Sequence, residues 1–183
     1  TACPFCGYAP VPTGRTIEEV AKSLCQNRYP GYAEEMWRVW EAALPLLRLS
    51  DINYTSCCFN LLNNYLLDAL SDPNNEKNGE YTRQWQKEIA YEREFEPQIA
   101  AFLQLVKALP AQMLENKFVL RDTVDLVRSV LTQKLHIDYL DAAISVALWK
   151  NKAVSAENVQ SKFAYCRRLL DSFAELLNTH EDY

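Results

Sequence analysis

Apolar residues recur every three or four positions through most of the chain, and strict apolar–polar alternation is nearly absent. This period predicts amphipathic helices and almost no strand. Thr16 followed by Glu19 has the form of a capping box and opens a helix to about Arg28, where Tyr29-Pro30-Gly31 breaks the chain. A second helix runs from about Ala33 to Leu49 with Met36, Trp37, Trp40, Leu44 and Leu47 on its apolar face. Pro45 falls inside it and is expected to kink or shorten it, because proline lacks the amide proton and crowds the preceding turn. Cys58, Leu61, Leu62, Tyr65, Leu66 and Ala69 define a third helix, and the polar run Ser71–Gly79 a loop.

A polar, charged helix is predicted from about Glu80 to Arg93. Glu96-Pro97 reads as a cap with proline in the first helical position, opening a helix through Ile99, Phe102, Leu103, Val106 and Leu109 that stops before Pro110. The longest pattern spans about Phe118 to Lys150, and a last helix begins near Ser155 with Val159, Phe163, Cys166, Leu169, Leu170, Phe173 and Leu177. Glycine occurs only 4 times and never within an apolar period. The expected fold is therefore all-α: an antiparallel bundle of about six to seven helices over residues 16–183. Residues 1–15 differ, holding three prolines, two glycines and two cysteines, and are expected to form an irregular arm.

An apolar fraction of 49% with 23% charged residues suits a folded domain with a sizeable core. The net charge of −5 offers no general attraction for a phosphate backbone, and Arg167-Arg168 is the longest basic run, so nucleic acid is not an expected partner. No stretch approaches the roughly 20 apolar residues of a membrane span, and Thr1 does not begin a leader peptide, so a soluble chain is expected.

The 6 cysteines (Cys3, Cys6, Cys25, Cys57, Cys58, Cys166) favour disulfides in an oxidising compartment. Asn53-Tyr54-Thr55 satisfies the N-glycosylation sequon. Together they point to an extracellular or lysosome-like lumen. Cys3-Pro4-Phe5-Cys6 has the spacing of a redox pair or half a zinc site. The redox motif needs a following helix to lower a thiol pKa, and Gly7, Pro10 and Pro12 deny it one. Zinc needs two more ligands, which neither Cys57-Cys58 nor the scattered His136 and His180 supply. A disulfide or structural thiol is the favoured reading, and no metal or cofactor is expected.

His136 lies mid-helix and reads as structural. The carboxylates Glu34, Glu35, Glu92, Glu94, Glu96, Asp122, Asp125, Asp138 and Asp141 read mostly as a solvated or locally paired surface. Asp125–Arg128 stands out as a candidate buried or interface ion pair. Trp37, Trp40, Trp85, Tyr139, Trp149 and Tyr165 mostly fall on apolar stripes, where core packing is favoured over a carbohydrate platform. No residue is assigned a catalytic role.

Two segments carry a resemblance. Asn27-Arg28-Tyr29-Pro30-Gly31-Tyr32 precedes Glu35-Met36-Trp37-Arg38-Val39. Phe95-Glu96-Pro97 leads a helix joined by a short break to Arg121-Asp122-Thr123-Val124-Asp125-Leu126-Val127-Arg128. In order and content these resemble the C-terminal helical domain of α-N-acetylglucosaminidases, a glycoside hydrolase family. Asp125, Leu126 and Arg128 coincide with the family's run, whereas Arg121 and Asp122 are offset. In that family two glutamates of a (β/α)₈ barrel catalyse with retention, which requires carboxyls about 5–5.5 Å apart on a rigid scaffold. This chain has no such barrel, so the pair is transferred to no glutamate here.

The resemblance implies a helical accessory domain that packs on a catalytic barrel, with a glycan as candidate ligand, and that does not catalyse alone. It further predicts a continuous exposed apolar patch, with Trp37, Trp40 and Trp149 as contributors. The alternative is a free-standing secreted binding protein stabilised by disulfides, which predicts a self-contained core and paired cysteines.

Overall fold

The computed structural model describes residues 14–48 and 76–178, which form seven helices and no strand, an all-α bundle. The arm at 1–13, the predicted helix Cys58–Ala69, the sequon at Asn53 and four of the cysteines lie outside the described residues.

Helix α1 (Ile17–Arg28) starts at the predicted capping box: Glu19 N donates to Thr16 Oγ1 at 3.1 Å, and Thr16 N donates to Glu19 Oε2 at 2.7 Å. Gly31, at φ +88°, takes the left-handed conformation that turns the chain into α2 (Ala33–Arg48). Pro45 does not end α2, which continues three residues beyond it. The proline is exposed, so water can reach the carbonyl it leaves unbonded.

Helix α3 (Glu76–Arg93) begins four residues before the expected Glu80, absorbing Glu76-Lys77-Asn78-Gly79 from the predicted loop. The polar content of that run suggests a turn, but the helix that follows carries it. In α4 (Glu96–Lys107) the cap is Phe95 rather than Glu96, and Pro97 sits within the first turn, where its missing N–H costs nothing. A four-residue helix, α5 (Ala111–Leu114), follows Pro110 and is too short to leave a period in the sequence. Asn116 then caps α6 (Lys117–Lys150), accepting from Phe118 N at 3.0 Å. Helix α7 (Ala156–Asn178) completes the described chain.

Two apolar clusters hold these helices. The larger joins Cys25 and Tyr29 of α1, Met36, Trp37, Val39, Trp40, Ala43 and Leu46 of α2, Ile99 and Phe102 of α4, Met113 of α5, and Val119, Leu126 and Val130 of α6. The second joins Trp85 and Ile89 of α3 to Ile137, Leu140, Ala143, Ile144 and Ala147 of α6. The 34-residue α6 thus serves both, and it is about 51 Å long at 1.5 Å per residue. Helix α7 packs extensively on α6 and joins neither cluster. Contacts Asp141–Lys162, Tyr139–Phe163 and Lys134–Tyr165 pair falling with rising numbers, so α6 and α7 run antiparallel.

Candidate functional site

Among the described residues a charged cleft of about 540 Å³ opens where the α3–α4 elbow, α6 and α7 meet. Lys134, Asp138 and Asp141 share one face of α6 at i, i+4, i+7 spacing. Ser161, Tyr165 and Arg168 do the same on α7, beside Lys162, and the elbow supplies Arg93 and Glu96.

Arg93 ties the cleft together. Its Nη1 donates to Glu96 Oε1 at 2.6 Å, its Nη2 donates to Asp141 Oδ2 at 2.8 Å, and Nη2 lies 3.7 Å from Asp138 Oδ1. Lys162 Nζ donates to the other Asp141 oxygen at 2.8 Å. Lys134 Nζ sits 3.0 Å from Asp138 Oδ2. This oxygen is buried, with Lys134 as its ion-pair neighbour. Burial opposes the charge on Lys134, but pairing with Asp138 outweighs it and raises its pKa. Arg93 behaves alike: burial is overcome by Glu96 and Asp141. The Tyr165 ring carries Lys134 at 5.4 Å and Arg168 at 5.7 Å from its centroid. Four cations face three carboxylates, and each carboxylate is held by at least one cation. That arrangement suits a polar joint between helices better than a general acid–base pair, which needs a carboxylate free to exchange its proton.

A second polar constellation lies within the larger cluster. Arg28 of α1 grips Asp122 of α6 through two hydrogen bonds, Nε to Oδ2 and Nη2 to Oδ1, the latter at 2.8 Å. Tyr29 Oη donates to Asp122 Oδ2 at 2.5 Å and accepts from Trp40 Nε1 at 3.3 Å. Burial and the carboxylate together raise the Tyr29 pKa. For Asp122, burial acts upward, but the hydrogen bonds from Arg28 and Tyr29 prevail and hold the carboxyl below its ordinary range. The Arg28 guanidinium also stacks 5.1 Å from the centroid of the half-exposed Phe118 ring.

The sequence singled out Asp125–Arg128 as a buried or interface pair. It is not buried: the two groups lie 3.5 Å apart with both side chains about two-fifths exposed. Asp122 and Asp138, read as surface groups, are the ones enclosed by cations. Trp37, Trp40 and Trp85 are core residues, leaving Trp149 as the exposed tryptophan, with Lys150 Nζ over its ring at 5.2 Å. The expected apolar patch through Trp37, Trp40 and Trp149 is therefore not formed, because the first two lie on the buried face of α2.

Cys25 and Cys166 are free and buried. Burial and the nearby Asp122 push the Cys25 thiol up to about 11, an unreactive setting. Cys3, Cys6, Cys57 and Cys58 are outside the described residues. Among the described residues no group of three or more His, Cys, Asp or Glu side chains is placed to hold a metal, and no helix is long and apolar enough to cross a membrane. Comparison with protein-family models, curated proteins and solved structures found no match.

Proposed function

We propose that the chain is a helical accessory domain resembling the one that follows the catalytic barrel of α-N-acetylglucosaminidases, packing on such a barrel in an extracellular or lysosome-like lumen. The observation that supports this reading best is the Arg28–Tyr29–Asp122 staple. Its residues come from the two segments on which the resemblance rests, 94 positions apart for Arg28 and Asp122, and the fold joins them in one bidentate contact. A rigid joint between α1 and α6 is what a wall supporting another domain needs. Half-exposed Phe118 and Leu24 on the same two helices offer apolar surface at that edge.

The free-standing alternative rests on disulfides. Cys25 and Cys166 contribute none, so it depends on Cys3, Cys6, Cys57 and Cys58.

Reading the coding sequence on both sides of residues 1–183 tests the proposal. An in-frame barrel of roughly 250 residues on the upstream side is expected, and its absence from both flanks overturns the reading. In the joined protein, hydrolysis of an aryl α-N-acetylglucosaminide is expected to fall when Phe118→Asp and Leu24→Asp are introduced together.

A further inference from the structure

We propose that α7 is a hinged strap: it lifts from α6 as a unit about the 151–155 connection and opens the charged cleft while both apolar clusters stay folded. Three observations carry this. No described side chain of α7 belongs to either cluster. Of its described side chains only Cys166 is buried, while Val159, Phe163, Leu169, Phe173 and Leu176 stay half-covered and Leu170 is 53% exposed.

Two polar ties of α7 to α6 are ones that water can replace. Lys162 reaches Asp141 at 2.8 Å, and the Tyr165 ring rests against Lys134. When they part, Arg93 still holds Asp141 and Lys134 still faces Asp138, so the remaining carboxylates are not left as uncompensated charges. The cost of opening is correspondingly low.

Local opening below the global unfolding free energy is the expected behaviour of an element with few fully buried apolar side chains. Here it would widen the cleft, since Ser161, Lys162, Tyr165 and Arg168 form one of its walls.

The two buried thiols make the test internal to the protein. Cys25 sits in the larger cluster and Cys166 under the strap, so N-ethylmaleimide labelling with site-resolved mass spectrometry reads global and strap opening separately. In 0.05 M NaCl, Cys166 is expected to react at least tenfold faster than Cys25. In 1 M NaCl, where the screening length shrinks to about 3 Å, the Cys166 rate is expected to rise severalfold further relative to Cys25. Lys162→Met, which keeps most of the aliphatic stem, and Asp141→Asn should each speed Cys166 labelling with little change at Cys25. Equal rates for the two thiols at both salt concentrations would mean that α7 leaves only with the whole fold, and would overturn the proposal. So would a Cys166 rate insensitive to salt and to both substitutions.

Discussion

Asp122 and Asp125 lie three residues apart on one helix, yet they belong to different physical regimes. Asp122 accepts from Arg28 and Tyr29 in a half-buried setting, whereas Asp125 meets Arg128 in water. Asp122→Ala removes charge-assisted hydrogen bonds and leaves Arg28 and Tyr29 without their acceptor, so a loss of about 2–3 kcal/mol is expected in urea unfolding. Asp125→Ala should stay within about 0.5 kcal/mol, since exposed pairs contribute little. Because the folded-state pKa of Asp122 is depressed, its contribution is present above the unfolded-state carboxylate value and is lost as pH falls through the lower folded one. Acid titration of stability is therefore expected to be shallower in Asp122→Asn than in the parent chain. None of this contrast could be read from the chain alone. Spacing shows Asp125–Arg128 and Lys134–Asp138 as neighbours on a helix, but burial, the Arg28 partner of Asp122 94 residues away and the Arg93 partner of Asp141 48 residues away are tertiary facts.

The helices themselves were far more legible. The capping box at Thr16, the apolar face of α2, the start of α6 and the stop before Pro110 all followed from short-range rules. Errors arose where local chemistry was ambiguous: Asn78 and Gly79 suit a turn, yet they are carried into α3 by the helix that follows. Pro45 shows the same tension in α2. Its position is exposed and helical, so Pro45→Ala restores one backbone hydrogen bond at no packing cost. A gain of about 2 kcal/mol is expected after allowing for the greater freedom of the unfolded variant, measurable as a higher urea midpoint. Thr16→Ala should act in the opposite sense, costing about 1 kcal/mol through loss of the cap.

At the scale of the molecule, one long helix serves two cores. Val119, Leu126 and Val130 face the larger cluster, and Ile137, Leu140, Ala143, Ile144 and Ala147 face the second. Phe102→Ala and Ile89→Ala fall in separate clusters, so their destabilisations are expected to add within about 0.5 kcal/mol in a double-variant unfolding cycle. The continuity of α6 also makes angular phase a shared quantity. Each residue turns the helix by about 100°, so one residue inserted between Val130 and Ile137 would rotate either half's apolar stripe away from its partners. Six positions that belong to neither core, 131–136, thus keep two cores in register, and apart from Lys134, the partner of Asp138, this stretch should tolerate changes of side chain far better than changes of length.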